Sequence, residues 1–326
     1  MIEEAVPSLP TDTSLLIRVH AVSLNYRDAN MLNGTNPFEI KSDGIPCSDA
    51  AGSVVLIGKR VTRFKIGDRV SPIVDQKAIT GREQDREWLG GEVNGVLSDF
   101  VIFDEETCVK LPEHLSWAEA ACLACAGVTA WSALARDGSL VPGMSVLLQG
   151  TGGVSMMALK FARAAGCKVI LTSSSDEKLE HAKALYTEPA IATINYSTKP
   201  EWELEVLKLN GGVGVDIVLE NGGTSSLLQS VKAAKKGGIV SQVGYLGKQS
   251  GAHIEGLVPL LIDKTVNLRG INVGTLHDFE SLNGLVEATE LRFEDVIDKR
   301  FGFEQAAEAI EYLWSGQHMG KVIIEL

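Results

Sequence analysis

Residues 146–178, VLLQGTGGVSMMALKFARAAGCKVILTSSSDEK, constrain the fold more than any other stretch. Residues 146–149 form an apolar run too short for a helix, and Gly150, Gly152 and Gly153 follow at once. Past them, Val154, Met157, Ala158, Phe161, Ala162 and Ala165 recur at helical spacing until Gly166 ends the run. Residues 168–172 are apolar again. In a strand, glycine turn, helix and strand, backbone N–H groups and the positive helix end can meet a diphosphate. A glycine turn alone is a weak signal, because tight turns are common. Set in this unit it predicts a dinucleotide site, cradled by Gly150, Thr151, Gly152, Gly153 and Val154. Ser155 holds the third position, so the pattern reads G-x-G-x-x-S rather than G-x-G-x-x-G.

With 326 residues, of which 45% are hydrophobic, the chain can hold about two domains with real cores. A formal charge of −12 argues against a nucleic-acid surface, which needs clustered Lys and Arg. No apolar run approaches a membrane span, and the start, MIEEAVPSL, is acidic without a signal-peptide core. Cys47, Cys108, Cys122, Cys125 and Cys167 are an odd number in a long chain, which suits a reducing compartment. A cytoplasmic location is the default expectation.

The first third is strand-rich, with runs at 15–24, 52–57, 66–70, 97–103 and 107–111 punctuated by Gly and Pro. Residues 75–95 are polar with little periodicity and read as an exposed loop. A helix is expected over 116–134, opened by a Ser116/Glu119 capping box. From residue 146 strands and helices alternate, with strands at 191–196, 216–220, 238–244 and 266–273. That order predicts a doubly wound parallel sheet with helices on both faces. A helix over 279–290, a strand at 296–301, a helix opened by Phe303-Glu304 and a last strand at 321–326 do not extend that sheet easily. The expected fold class is α/β: a β-rich domain (1–117 and 276–326) with an α/β domain (118–275) inserted.

Segments across nearly the whole chain, in order, resemble the medium-chain dehydrogenase/reductase superfamily, most closely its zinc-free, quinone-oxidoreductase-like members. They include AVSLNYRDANMLNG (21–34), PCSDAAGSV (46–54), RFKIGDRV (63–70), GVLSDFVIF (95–103), LPEHLSWAEAACLACAGVTAW (111–131), residues 147–179, INY (194–196) and HMGKVII (318–324). The resemblance implies a GroES-like catalytic domain built from both chain ends, an inserted Rossmann domain, hydride transfer to a small molecule and a homodimer. Two departures stand out. The family pattern begins about twenty residues earlier, and Ala184-Leu185-Tyr186-Thr187-Glu188-Pro189 lengthens a turn that is usually Ala-Leu-Gly-Ala.

Zinc-dependent relatives need Cys, His-Glu and Cys at positions where this chain has Asn25, Ser48-Asp49 and Cys125. One thiolate does not hold a catalytic Zn²⁺, and no Cys lies between Cys47 and Cys108 to build a structural zinc loop. Cys122-x-x-Cys125 has metal or redox spacing but no second pair, and suits small residues on a buried helix. No zinc is expected.

NAD binders place an Asp or Glu at the end of the second strand to grip the ribose 2′-hydroxyl. Here that end is Thr172-Ser173-Ser174, and the resemblance points to Ser174, Lys178 and Tyr196 as a 2′-phosphate site, hence NADPH over NADH. The same residues also suit a plain helix start, a Ser174/Glu177 capping box with Lys178 on a solvated face, and Asp176 lies near.

Without zinc, another group must meet the substrate oxygen. The resemblance places Asn25 and Tyr26 there: Tyr26 as proton or hydrogen-bond donor, Asn25 orienting nicotinamide or substrate. Tyr26 equally suits an aromatic lining the cleft, and Arg27 with Asp28 a structural pair. By resemblance, Thr129 faces the nicotinamide, Gly244 and Tyr245 lie by the diphosphate and ribose, Val273 by the carboxamide and Lys321 by the diphosphate; Lys321 also suits an ordinary strand start. The expected activity is zinc-independent, NADPH-dependent reduction of an enone, enal or quinone. A carbonyl/alcohol oxidoreductase of the same fold is the alternative, and a cofactor-binding protein with little catalysis is an answer of another class.

Overall fold

The computed structural model describes residues 3–36, 40–138 and 140–326, apart from the side chain of Asp137. The chain opens with β1 (Ser14–Leu24), α1 (Tyr26–Leu32), β2 (Asp49–Ile57), β3 (Arg69–Pro72), β4 (Phe100–Asp104) and β5 (Cys108–Lys110). Helices α2 (Trp117–Ala121) and α3 (Val128–Ala135) lead into β6 (Ser145–Gln149), α4 (Gly153–Ala164), β7 (Lys168–Ser173), α5 (Asp176–Leu185) and β8 (Ala192–Asn195). Next come α6 (Trp202–Leu209), β9 (Val215–Glu220), α7 (Leu227–Ala233), β10 (Ala234–Gln242), α8 (Leu257–Lys264) and β11 (Asn267–Gly270). The return is α9 (Leu276–Thr289), β12 (Ile297–Gly302), α10 (Ala306–Trp314) and β13 (Lys321–Glu325).

The chain divides into two units, residues 1–128 with 274–326, and residues 129–273. The sequence-based boundary at 117–118 therefore falls early, because α2 packs on β1 and β2. In the first unit the sheet order is β12-β13-β1-β2-β3-β5, with β4 also paired to β1. β13 runs antiparallel to β1 and parallel to β12, so the C-terminal return completes the sheet that the N-terminal third begins. Alternation along β1 buries Leu15, Ile17, Val19, Val22 and Leu24 in one apolar cluster with Val322 and Ile324.

In the second unit β11-β10-β9-β6-β7-β8 form a sheet whose neighbouring strands are all parallel. Strand order reverses between β6 and β9, and α/β sheets bind ligands at the carboxyl ends of strands at such a switch point. β6 is buried at every position, as a central parallel strand must be.

Three local expectations differ. The helix expected over 116–134 is broken: its Ser116/Glu119 capping box forms, but α2 stops at Ala121 and a wider turn follows, with Gly127 N–H donating to Cys122 O at 3.1 Å. The stretch 75–95 is not wholly exposed. Residues 81–85 are, but Leu89 is 1% exposed in the core and its N–H bonds Val74 O. Finally, Ser175 and not Ser174 caps α5, accepting from Lys178 N–H at 3.3 Å.

Candidate active site

In the second unit, the turn after β6 is shaped for a phosphate. Gly150 has φ +78°, open to glycine at little cost, and its N–H donates to Thr172 O of β7 at 2.8 Å. A Cβ on Gly150 or Gly152 would meet nothing within 4 Å, so the space before the turn is open and a side chain would fill it. Gly152 is the N-cap of α4 and no side chain caps it, which leaves the first N–H groups, from Gly153 and Val154 onward, for an anion. Thr151 is buried beneath. These residues fit a dinucleotide diphosphate.

At the end of β7, Ser173 is buried and Ser174 exposed, and no carboxylate stands on either. Tyr196 N–H donates to Ser173 O at 3.1 Å, which brings Tyr196, its side chain partly exposed, to the same edge. Lys178 is half-buried on the first turn of α5. Asp176, which begins α5, accepts from Asn195 Nδ2 at 2.8 Å. Thr129 is buried on α3. Gly244 sits against Asn221 O, the exposed Tyr245 follows it, and Val273 has φ +53° just beyond β11, a rare backbone for a β-branched residue.

The first unit holds Asn25 and Tyr26. Asn25 caps α1, and its N–H donates to Asp28 Oδ2 at 2.8 Å. Tyr26 is 48% exposed and stacks on Trp314 of α10 with centroids 5.7 Å apart. Arg27 and Asp28 form an ion pair at 3.1 Å, and Arg27 also donates to Leu89 O. Lys321 departs from expectation. It is 1% exposed, and its Nζ donates to Leu24 O and to Asn25 Oδ1, each at 2.6 Å. A cation at a diphosphate must be displayed toward the ligand; this one is committed beneath α1. Asp49 completes the buried cluster, accepting from Ser48 Oγ at 2.8 Å and Cys125 N–H at 3.2 Å. Burial pushes its carboxyl up, and Lys321, Asn25 and Ser48 pull it back.

Residues 11–113 match the alcohol dehydrogenase GroES-like domain, and residues 153–288 the zinc-binding dehydrogenase model. A zinc-type alcohol dehydrogenase-like protein of Schizosaccharomyces pombe is 37% identical, over 99% of this chain and 94% of its own length. The chain belongs to the medium-chain dehydrogenase/reductase superfamily. Like other members it is an NAD(P)-dependent oxidoreductase. Rat quinone oxidoreductase is 28% identical over 99% of this chain and 92% of that protein. A crystal structure of a Sinorhizobium meliloti protein assigned as an alcohol dehydrogenase aligns with a TM-score of 0.88 at 39% identity, covering 98% of this chain and 93% of that one.

The superfamily includes zinc enzymes; at the positions where those carry zinc ligands this chain has Asn25, Ser48, Asp49 and Cys125, which offer an amide, a hydroxyl, a carboxylate and one thiol. Among the described residues no group of three or more His, Cys, Asp or Glu could hold a metal ion. Cys122 and Cys125 are buried, and burial pushes each thiol up to about 12.

Sequence reasoning did not single out Gln149, Glu220 and Asn221, whose side chains join the ends of β6 and β9. Their signals were an acid, Glu220, ending an apolar strand and a Gly222-Gly223 pair straight after it.

Proposed function

We propose that this superfamily member is zinc-independent, prefers NADPH, and reduces an activated carbonyl compound: an enone, an enal or a quinone. The observation that carries the NADPH reading is the end of β7, where Ser173 and Ser174 stand in place of an acid, with Tyr196 held beside them. A carboxylate there would repel a 2′-phosphate, whereas hydroxyls and the Lys178 cation accept it. A hydrogen bond to a charged group contributes roughly 1.5–3 kcal/mol, or about 10- to 150-fold in preference. Asp176 works against this, but its carboxylate is engaged by Asn195. The zinc-free reading is supported by the donor set at Asn25, Ser48, Asp49 and Cys125.

When bound, the dinucleotide would supply the hydride. The Gly153 and Val154 N–H groups at the start of α4 would hold its diphosphate, with Gly150, Thr151 and Gly152 shaping the open space before them, and Thr129, Gly244, Tyr245 and Val273 would line its path. Tyr26, its ring stacked on Trp314, donates a hydrogen bond or proton to the substrate oxygen as charge builds there. Asn25, with Oδ1 taken by Lys321, orients the start of α1.

A nucleotide-oxidation screen with quinones, 2-enals, 2-enones and simple aldehydes, with products identified, tests the substrate class. Turnover of simple aldehydes alone favours the second reading, an alcohol/carbonyl oxidoreductase, which the S. pombe relative's name supports. Binding of NADPH without turnover of any of them favours a cofactor-binding protein. Lys178→Ala is expected to weaken NADPH by at least about 10-fold and leave NADH unchanged; equal binding of both nucleotides by the unaltered protein overturns the preference. Stoichiometric zinc that tracks with activity in purified protein overturns the zinc-free reading. A homodimer joined along the β11 edge is expected by analogy with the superfamily, and sedimentation checks it.

A further inference from the structure

At the switch point between β6 and β9, two loops that face the open space before the turn are joined by buried side chains. Glu220 ends β9 at 0% exposure. Its carboxylate accepts from Gly222 N–H at 2.7 Å, Gly223 N–H at 3.0 Å, Ser226 Oγ at 2.6 Å and Gln149 Nε2 at 2.8 Å, and from the Ser230 hydroxyl as well. Gln149, the last residue of β6, returns the link: its Oε1 accepts from Asn221 N–H at 3.0 Å. Asn221 Nδ2 then donates to Gln149 O at 2.9 Å and to Ser155 Oγ at 3.1 Å, while Ser155 Oγ donates to Gln149 O at 2.7 Å. On the other side Gly150 N–H is tied to Thr172 O.

We propose that Ser155 and Asn221 are positioning residues for the dinucleotide turn, fixing Gln149 O and with it the backbone that leads into Gly150–Gly152. The inference rests on the chain's NAD(P) dependence. It explains why the third fingerprint position is a serine. A glycine there permits close packing of helix on strand; here a buried hydroxyl, 1% exposed, bonds the strand end directly. Catalytic geometry is sensitive to small misplacements, and a turn that presents N–H groups to a diphosphate is no less so. The Ser155 and Asn221 side chains bond the strand end that leads into the turn; they reach Thr172 only through Gly150 N–H and do not bond Ser173 or Ser174. Loss of these bonds therefore weakens NADPH and NADH alike.

The test measures dissociation constants for NADPH and NADH, and melting temperature with and without each, for Ser155→Ala, Ser155→Gly and Asn221→Asp. One net hydrogen bond is worth about 0.5–1.5 kcal/mol, so Ser155→Ala should weaken both nucleotides by about 2- to 10-fold. Asn221→Asp sets an acceptor against Gln149 O and should weaken both more. The NADPH/NADH ratio stays constant, and the nucleotide-induced rise in melting temperature shrinks while the unliganded value moves little in Ser155→Ala. Ser155→Gly, which restores the fingerprint, should bind no better than Ser155→Ala. Unchanged affinities in Ser155→Ala, or a loss confined to one nucleotide, overturn the proposal. If Asn221→Asp does not fold, the hydroxyl deletion decides alone. Failure of the unaltered protein to bind either nucleotide overturns the NAD(P) reading along with this one, whereas unaltered protein that binds beside unaffected variants overturns this one only.

Discussion

Two buried carboxylates in the first unit titrate in opposite directions. Glu119 opens α2, its side chain 0% exposed, and accepts from Arg292 Nε at 2.9 Å and Nη2 at 2.7 Å, Ser116 N–H at 2.9 Å and Phe293 N–H at 2.7 Å. Burial pushes it up, but these four donors outweigh burial and bring it down to about 2. Asp28 on α1 accepts from Asn25 N–H and one Arg27 nitrogen. There burial wins and raises it to about 6, with Asp49 adding to the rise. Neither side chain meets solvent, but Asp28 lies deeper and has fewer donors. The Glu119 joint fastens α2 to the C-terminal return, whereas in the α1 cluster Asp28 has only the Arg27 guanidinium and one backbone N–H, and Asp49 has Ser48 and Cys125.

Removing the Lys321 charge should have the largest effect. Lys321→Met removes the donor to Leu24 O and Asn25 Oδ1 and the positive charge that pulls the buried Asp49 carboxyl down; two hydrogen bonds from a charged group together are worth about 3 kcal/mol or more. Asp49→Asn in the same chain should recover part of the loss, and a double-mutant cycle by urea unfolding measures it. Additive losses would mean that Lys321 does not balance Asp49.

Glu119→Gln comes next, at about 2 kcal/mol, mostly from the two buried backbone N–H groups because exposed Arg292 contributes little. Since the folded carboxyl is held below its ordinary value, this stability is present above pH 4.5 and fades as pH falls toward about 2. A variant that melts like the parent at pH 7 would remove Glu119 from the joint.

Last comes the pH slope that Asp28 contributes, the smallest of the three when read per pH unit. Its folded value, about 6, lies above its ordinary 3.8, so the folded state holds the extra proton between them. Stability should therefore rise as pH falls from about 6 toward 4, by at most about 1.4 kcal/mol per pH unit. Asp28→Asn should remove that share and leave the share from Asp49. Thermal unfolding between pH 4 and 7 checks the sign, and a slope unaltered in the variant would break the contrast with Glu119.

Much of the cofactor unit was legible beforehand. The strand, turn and helix around Gly150 and the missing acid at Ser173-Ser174 each depend on residues within a few positions of one another, as does the Ser116/Glu119 capping box in the first unit. What was not legible lies in distant partners. The serine that caps α5 is Ser175 rather than the alternative Ser174, because which serine caps depends on where β7 ends. Lys321, expected by resemblance near the diphosphate, bonds Asn25, 296 residues away. Within 75–95, expected to be exposed, Leu89 enters the core.

Periodicity and backbone freedom at glycine are written locally, so the βα alternation and the glycine turn after β6 can be read from the residues alone. Tertiary structure alone decided that β13 lies against β1, and so that Lys321 is buried under α1. It also decided that Glu220 meets Gln149, a partnership 71 residues apart. A buried charge takes whichever partner the sheet brings within hydrogen-bond reach, and no local pattern records which strands will be neighbours.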